Sequence, residues 1–267
     1  MSGVTIHPTA IIDSGAQLGT NVTIGPYAVI EDNVVIGDDS NIGPHALVAW
    51  GTRMGKRCRI HHSACIGTIP QDLKFRGEET LCRIGDDAII REFCSINRGT
   101  AAAGETVIGN NCAILSYGHV GHDCLIGDNL IASNNLALAG HVVVGNNVTI
   151  GGVCAFHQFV RIGDHAMIQV SSFVTQDVVP FAITGSEPLR LVGINKVGLE
   201  RRGFSSERRQ EIKRAFRILF REKLSIEDAI AKMADQFPGN ADVELLVAFA
   251  RTSKRGILRM RDTDIED

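Results

Sequence analysis

An apolar residue recurs at every sixth position of the sequence from Ile6 to Val174, with two interruptions. If this residue opens each hexad, position 5 is small or β-branched in most hexads and position 2 is often glycine. A period of six fits neither a helix nor an ordinary strand, but it fits a short strand followed by a corner. Three hexads then make one eighteen-residue turn of a triangular solenoid, with position 1 filling the interior. We therefore predict a parallel β-helix over residues 1–186, with the glycines allowing the backbone to bend.

Two segments interrupt the hexads, residues 67–83 and 97–107. Each is too long for a corner, so we expect both to protrude from the solenoid as loops. Loops on a rigid scaffold often carry binding residues, which makes these two segments candidate parts of a functional site.

The hexads stop near residue 180, and the remaining sequence has the periodicity of amphipathic helices. Ser205 or Ser206 is placed to cap the first of them. We predict a C-terminal α-helical bundle over residues 187–267, joined to the solenoid through a linker at 189–204.

Composition limits the class of protein. The formal net charge is −3 at pH 7, so no overall basic field favours nucleic acid. The N-terminus shows no secretory signal, and the charge-free run 129–160 mixes polar with periodic apolar residues, so we expect no stable membrane insertion. Seven cysteines form no CxxC pair, which fits a reducing compartment and so a cytoplasmic protein. Five of them occupy position 5 and are expected to be small buried hydrophobes: Cys58, Cys94, Cys112, Cys124 and Cys154.

The stretch GHVGHDCLIGDN places two histidines three residues apart and follows the second with Asp and Cys. In a solenoid with eighteen residues per turn, residues i, i+18 and i+36 stack along one edge, about 4.8 Å apart. His122 then lies in line with Gly140 and Gln158, which neighbour His141 and His157. These corner positions point away from the interior, and such a cluster of imidazoles has no evident structural purpose. We therefore predict a functional site on this edge.

Two kinds of chemistry suit this column of histidines. A histidine followed by a carboxylate, as in His122–Asp123, fits a general base whose tautomer is fixed and whose imidazolium is stabilised by its neighbour. Neutral imidazoles also bind zinc, and trimeric β-helix proteins resembling γ-class carbonic anhydrases hold a metal in this way. We favour the base and expect no bound metal, because Cys124 belongs to the core. A purely structural solenoid would not need the column.

Five motifs occur in the chain: IPQDLKFRGEET, GHVGHDC, LAGHV, FHQF and VGLERRGF. Together they resemble the UDP-N-acetylglucosamine 3-O-acyltransferases of lipid A biosynthesis, over nearly the whole length. The resemblance implies an all-β left-handed parallel β-helix with a C-terminal α-helical bundle, assembled as a homotrimer with active sites between subunits. The implied reaction moves an (R)-3-hydroxyacyl chain from the phosphopantetheine of acyl carrier protein to the glucosamine 3-hydroxyl of UDP-N-acetylglucosamine. No bound cofactor is implied.

The same resemblance implies roles for individual residues. His122 would be the general base that deprotonates the 3-hydroxyl, Asp123 would orient it, and the Gly140 N–H would stabilise the oxyanion. The residues implied in binding the sugar nucleotide, its phosphates or the pantetheine arm are Asp72, Lys74, His119, His141, His157, Gln158, Asn195, Arg201 and Arg202. By contrast, we expect Arg208 and Arg209 to form a solvated helix face.

Two features of the sequence bear on specificity. The acyl-length ruler of the family matches Met167 and Val170, and some long-chain members have glycine where this chain has Val170, so we expect a preference below C14. Val197 stands where some members have an acidic residue. A 3-amino sugar remains an alternative acceptor, because the base would serve either. The related N-acyltransferases carry a uridine-binding domain before the solenoid, and hexads that begin near residue 4 leave no room for one.

Overall fold

Three parallel sheets form the three faces of a triangular solenoid in the computed structural model, which describes residues 3–185 and 187–260. Up to Phe173–Val174, consecutive strands lie on successive faces and pair in parallel with the strands one turn away, whereas the last two strands, Ala182–Gly185 and Arg190–Ile194, share one face and are antiparallel. Thr5 is paired with Thr23, and Thr23 with Asn41, which sets the repeat at eighteen residues. The predicted parallel β-helix is confirmed.

Most strands are two residues long, because each face of the triangle is short. Among the described residues, sheet A contains, in spatial order, Thr5–Ile6, Thr23–Ile24, Asn41–Ile42, Arg59–Ile60, Ile89–Ile90, Ala113–Ile114, Ile131–Ala132, Thr149–Ile150, Met167–Ile168, Ala182–Gly185 and Arg190–Ile194. Sheet B contains Ile11–Ile12, Val29–Ile30, Leu47–Val48, Cys65–Thr68, Ser95–Asn97, His119–Val120, Leu136–Leu138, Cys154–Phe156 and Phe173–Val174. Sheet C contains Gln17–Leu18, Val35–Ile36, Thr52–Met54, Leu81–Ile84, Glu105–Ile108, Leu125–Ile126, Val143–Val144 and Arg161–Ile162.

Positions 1 and 5 of the hexads form the solenoid core. Position-1 residues such as Ile60, Ile90 and Ile114 are at most 1% exposed. The five position-5 cysteines are equally buried, and burial raises the pKa of the Cys124 thiol to about 12. The prediction that these cysteines are core hydrophobes is confirmed, and their buried thiols lack the low pKa of a nucleophile.

The corners are turned at position 4, not at the position-2 glycines. Position-4 residues adopt a left-handed φ, which is 56° at His45 and 59° at Asp123. At Gly43, whose φ is ordinary, a Cβ would lie 2.9 Å from the Ile60 oxygen and 2.8 Å from the His62 nitrogen. The prediction that these glycines serve the bend is therefore wrong. They permit the close approach of successive turns of the solenoid.

Two loops leave the solenoid where the hexads are interrupted. The flanking strands reach further than the hexads do, so the loops span residues 69–80 and 98–104. Leu81 and Glu105, which fall inside the sequence interruptions, are paired residues of neighbouring strands. We refer to the two segments as loop 69–80 and loop 98–104.

Four helices make up the C-terminal part of the described chain: α1 Lys196–Arg201, α2 Ser206–Arg221, α3 Ile226–Gln236 and α4 Ala241–Arg251. The residue before each helix caps it by accepting a backbone N–H, namely Asn195, Ser205, Ser225 and Asn240. The predicted bundle is confirmed, although α1 and the strand Arg190–Ile194 occupy the expected linker. No helix in the described residues is long and apolar enough to cross a membrane.

Two arginines of α2 are packed against neighbouring helices. The Arg208 guanidinium lies 3.6 Å from the ring centroid of Phe204 and pairs with Asp242 at 2.8 Å. Arg209 pairs with Glu200 at 2.7 Å. The prediction that both residues form a solvated face is wrong for Arg209, whose side chain is only 15% exposed, whereas the Arg208 side chain is 48% exposed although Asp242 of α4 pairs with it.

Candidate active site

His122 and Asp123 form a hydrogen-bonded pair on the corner between sheets B and C. His122 follows the strand His119–Val120, and its Nδ1 lies 2.7 Å from Asp123 Oδ2. The left-handed φ of 59° at Asp123 is what allows two adjacent side chains to meet in this way. Each residue is only 7% exposed, so the pair is largely protected from water.

Three further hydrogen bonds hold Asp123 in place. The Thr100 N–H donates to Oδ1 at 2.8 Å, and the Thr100 hydroxyl donates to Oδ2 at 2.7 Å. The Thr106 hydroxyl accepts from the Asp123 N–H at 2.8 Å. Burial alone would raise the pKa of Asp123, but the hydrogen bonds from Thr100 and His122 outweigh burial and lower that pKa below its ordinary value. Asp123 is therefore a carboxylate at neutral pH.

The ionised carboxylate fixes the tautomer of His122. A carboxylate only accepts hydrogen bonds, so in the neutral ring the proton lies on Nδ1 and Nε2 carries the lone pair. This basic nitrogen faces Gly140, because a Cβ at residue 140 would lie 2.6 Å from Nε2 and 2.5 Å from Cε1. The absence of a side chain at Gly140 thus leaves room for the imidazole.

The backbone N–H of Gly140 has no hydrogen-bond acceptor among the described residues. On the corner between sheets C and A, equivalent N–H groups donate to a side chain one turn later, as the Asn110 N–H does to Asp128 Oδ1 at 2.7 Å. One turn after Gly140 lies Gln158, and no such bond forms there in the described part of the chain. An unbonded N–H close to the basic nitrogen of His122 is suited to stabilising an oxyanion.

A cavity of about 290 Å³ opens beside this pair. Five polar residues line the cavity together with the glycine whose N–H is unbonded: Gln71, Asn97, His119, His122, Gln158 and Gly140. His119, His122, Gly140 and Gln158 were predicted from the repeat and the resemblance. Gln71 and Asn97 were not predicted to line the cavity. They lie where the hexads are interrupted, so the eighteen-residue spacing does not show which residues lie beside them.

His119 precedes the base in strand His119–Val120. Its Nδ1 lies 2.8 Å from Ser95 Oγ. Burial lowers the pKa of His119, and the neighbouring His122 contributes in the same direction. His119 is therefore neutral at pH 7, which suits hydrogen bonding to hydroxyl or carbonyl groups rather than to a charged phosphate.

His141 and His157 lie further along the same edge and flank the cavity. His141 Nε2 is 3.6 Å from Asp123 Oδ2, and the His141 ring stacks on Phe159 with centroids 4.5 Å apart. His157 is exposed, and its Nδ1 lies 3.1 Å from the Gln158 carbonyl oxygen.

His122, Asp123 and His141 also offer three potential metal ligands within 4.8 Å of one another. The bonding of Asp123 fits a metal poorly, because Oδ1 already accepts from Thr100 and Oδ2 from both Thr100 and His122. A cation bound there would compete with these donors. The donor set therefore fits a base with its orienting carboxylate better than a zinc site.

Asp72 and Lys74 lie on loop 69–80 and do not line the cavity within one chain. The Asp72 carboxylate accepts the Lys74 N–H at 2.9 Å, which shapes the turn of the loop. The Lys74 side chain is exposed. Both residues are thus presented at the surface of the solenoid.

Asn195 and Arg202 contact the corner between sheets C and A, not the corner that carries His122. Asn195 Nδ2 donates to the His165 carbonyl oxygen at 2.9 Å, and Arg202 donates to Asn147 Oδ1 at 2.6 Å. Arg201 is exposed at the end of α1. These residues and the histidine column therefore occupy different edges of one chain.

Met167 and Val170 lie near the third corner, between sheets A and B. Met167 belongs to the strand Met167–Ile168, and Val170 is 65% exposed. Val170 lines a separate cavity of about 500 Å³ together with Phe173, Leu189 and Leu258. Of the two predicted ruler residues, Val170 is thus beside an open, partly apolar space, and Met167 does not line it.

The repeat, the triangular solenoid and the histidine column on one corner define a class of protein. Residues 15–49 match the family described as bacterial transferase hexapeptide (six repeats). The chain is accordingly a hexapeptide-repeat transferase with an appended helical domain.

Comparisons over the whole chain narrow this class. Residues 177–258 match the family described as UDP N-acetylglucosamine O-acyltransferase, domain 2. The acyl-[acyl-carrier-protein]–UDP-N-acetylglucosamine O-acyltransferase of Myxococcus xanthus is 50% identical, over 95% of this chain and 99% of its own. The enzyme of the same name from Xanthomonas oryzae pv. oryzae is 52% identical, over 95% and 97%. The solved UDP-N-acetylglucosamine acyltransferase of Bacteroides fragilis matches with a TM-score of 0.93 at 43% identity, covering 95% and 99%. The chain belongs to the family of acyl-[acyl-carrier-protein]–UDP-N-acetylglucosamine O-acyltransferases.

Proposed function

We propose that this chain moves an (R)-3-hydroxyacyl group from acyl carrier protein to the glucosamine 3-hydroxyl of UDP-N-acetylglucosamine, the first step of lipid A biosynthesis. The observation that carries the proposal is the buried His122–Asp123 pair, whose basic Nε2 faces Gly140 at the edge of a cavity. Half of the residues are identical to those of a relative named for this transfer.

The reaction begins with the sugar hydroxyl, which is too weak an acid to attack a thioester unaided. His122 Nε2 accepts the hydroxyl proton as the oxygen attacks the carbonyl carbon, and Asp123 stabilises the imidazolium. The Gly140 N–H donates to the carbonyl oxygen as it becomes an oxyanion. The tetrahedral intermediate expels the pantetheine thiolate, which recovers the proton from His122.

The size of each contribution follows from comparable reactions. A positioned base contributes about 10²–10⁴-fold to the rate. One oxyanion donor contributes about 10²–10³-fold. Both groups act in the same addition step, so Gly140 and His122 are the residues whose loss costs most.

The substrate-binding residues divide between regions of the chain. His119 and Gln158 line the cavity, and His141 and His157 flank it. Asp72 and Lys74 extend this surface on loop 69–80. Asn195, Arg201 and Arg202 bind the phosphates or the pantetheine arm, for which guanidinium groups are well suited.

The chain acts as a homotrimer whose sites lie between subunits. The support for this assembly is geometric: Asn195 and Arg202 contact the corner between sheets C and A, whereas His122 lies on the corner between sheets B and C. Within one chain the two sets therefore lie on different edges of the solenoid. A second copy that presents its C–A corner to this cavity would complete the site.

The acyl donor arrives on the phosphopantetheine of acyl carrier protein, and no resident cofactor or metal takes part. The reaction takes place in the cytoplasm, which agrees with the seven cysteines being free thiols and not disulfides. Val170 shortens the space for the acyl tail beside Met167, so chains below C14 are preferred.

Acyl-length specificity gives a direct prediction. Val170→Gly removes a side chain that is 65% exposed beside the 500 Å³ cavity, so it should shift the preferred acyl chain to greater length. Transfer rates across a series of acyl carrier protein thioesters measure the shift. Highest wild-type activity with C14 or longer chains would contradict the assignment of Val170.

The proposed function is tested by product analysis. Purified protein is incubated with acyl-loaded carrier protein and either UDP-N-acetylglucosamine or its 3-amino analogue, and products are identified by mass spectrometry. The proposal predicts an ester at the 3-hydroxyl with the higher kcat/KM. Exclusive amide formation would assign the chain to the amino sugar instead, and transfer to neither acceptor would refute it.

A further inference from the structure

Loop 98–104 interrupts the repeat directly beside the catalytic corner. A regular hexad turn would carry the backbone round this corner without extra residues, as it does in the turns that follow. Here the additional residues bring the main chain and side chain of Thr100 onto Asp123.

The direction of the Thr100 hydrogen bonds is fixed by its neighbours. The Thr100 hydroxyl oxygen accepts the Ala102 N–H at 3.2 Å, and the Gly104 N–H donates to the Thr100 carbonyl oxygen at 2.7 Å. Because Asp123 is ionised and only accepts hydrogen bonds, the single proton of the Thr100 hydroxyl points to Asp123 Oδ2. Loop 98–104 is thus a self-closed turn that directs two donors toward one carboxylate.

These two donors select which histidine the carboxylate serves. Asp123 Oδ2 lies 2.7 Å from His122 Nδ1 but also 3.6 Å from His141 Nε2. With Thr100 bound to both carboxylate oxygens, the plane of the carboxylate cannot rotate toward His141 without losing a hydrogen bond. Thr100 and Asp123 are 8% and 7% exposed, so water does not readily replace these bonds.

We propose that Thr100 is a positioning residue for acyl transfer, which acts by holding Asp123 on His122 and so keeping the proton on His122 Nδ1. Thr100 itself does not line the cavity and need not touch either substrate. The inference rests on the proposed function for its kinetic consequence. Its structural part, the dependence of the His122 tautomer on Thr100, can be measured without substrate.

The test compares Thr100→Val with Thr100→Ser. Valine preserves the shape but removes the hydroxyl donor, so kcat should fall about 10- to 100-fold, as expected for a lost hydrogen bond to a charged group. KM for UDP-N-acetylglucosamine should stay within about twofold, since no substrate contact is lost. Serine keeps the hydroxyl and should retain most of the wild-type kcat.

Thr52→Val is the matched control. Thr52 is likewise a buried threonine, and its hydroxyl donates to the Ala49 carbonyl oxygen at 2.7 Å, away from Asp123. It should lose stability without a comparable loss of kcat. Equal losses of kcat in Thr100→Val and Thr52→Val, or no rescue by serine, would show a merely structural role and overturn the proposal.

Nitrogen-15 NMR of histidine-labelled protein supplies the second readout. The wild-type spectrum should contain a neutral His122 protonated on Nδ1, and this signature should weaken or exchange in Thr100→Val but persist in Thr100→Ser. An unchanged tautomer together with wild-type kcat in Thr100→Val would refute the inference. If the wild type transfers no acyl group at all, the proposed function fails and the NMR comparison alone decides the role of Thr100.

Discussion

Gly140 serves two purposes at one position, and both concern His122. Its missing side chain leaves room for the imidazole, and its N–H is unbonded in the described part of the chain. A residue with a Cβ at this position would push the imidazole away from the place where a thioester carbonyl could lie between Nε2 and the N–H. The base and the oxyanion donor are thus coupled through a single backbone site.

Gly140→Ala is expected to reduce kcat by about 10²–10³-fold, because the new Cβ would lie 2.6 Å from His122 Nε2 and displaces the base from the oxyanion donor. Steady-state kinetics with saturating substrates measure the effect. The control is Gly152→Ala at the same hexad position on another corner, where the nearest atom to a new Cβ is the Asn134 oxygen at 3.3 Å. Equal activity of the two variants would refute the role of Gly140.

Loop 69–80 is tied to the solenoid through Asn97, which ends a strand, and Arg98, which begins loop 98–104. Asn97 Nδ2 donates to the Ile69 carbonyl oxygen at 3.0 Å. The Arg98 guanidinium lies 5.2 Å from the Trp50 ring centroid and 5.5 Å from that of Phe75. The loop that carries Asp72 and Lys74 is therefore held by stacking against an arginine next to the catalytic corner.

Arg98→Ala should loosen loop 69–80 and raise KM for the sugar nucleotide by about fivefold or more, since two cation–π contacts are lost. The value of kcat should change less, because His122 and Asp123 keep their own contacts. Hydrogen exchange of loop 69–80 and steady-state kinetics measure both parts. Arg59→Ala, an exposed arginine on sheet A, is the control. Unaltered exchange and KM in Arg98→Ala would contradict this account of the loop.

The elements that the sequence predicted well are those governed by the repeat. Fixed eighteen-residue spacing placed His122, Gly140 and Gln158 on one edge, because every regular turn adds the same number of residues. Thr100 and Gln71 escaped prediction since loop residues have no period that relates them to a neighbour. The contacts of Thr100 with Asp123 exist only through the tertiary path of loop 98–104.

Local conformation was predicted less well than register. The six-residue helix α1 contains Gly198 and is too short to show a periodic apolar face, so its sequence looked like a linker. The position-2 glycines were misread because a bend and a close contact both favour glycine. Only the distance between successive turns, seen at Gly43, separates the two explanations.

In the solenoid as a whole, the residues proposed to act on the substrates are spread over three corners. His122 lies between sheets B and C, Arg202 contacts the corner between C and A, and Val170 lies between A and B. A trimer in which neighbouring subunits face each other through different corners would combine these sets. The proposed roles of these residues therefore depend on the proposed assembly.

Complementation tests this assembly. His122→Ala and Arg202→Ala should each be severely impaired alone, but co-expressed subunits should regain activity, because some interfaces then pair an intact base with an intact arginine. Random assembly of equal amounts predicts roughly one quarter of the sites to be intact. Activity measured on the purified mixed trimers gives the fraction. No recovery in demonstrated mixed trimers would indicate that each site lies within one chain.

If His122 acts as a metal-free general base, the rate of a single acyl transfer must depend on it, and His122→Ala measures that dependence. His7→Ala, which changes an exposed histidine far from the column in sequence, serves as the control, and the metal content of the wild type is determined on the same preparation. We expect near-complete loss of transfer in His122→Ala, a normal rate in His7→Ala, and full wild-type activity after chelation. An active His122→Ala variant, or a wild type that requires stoichiometric zinc, would contradict it.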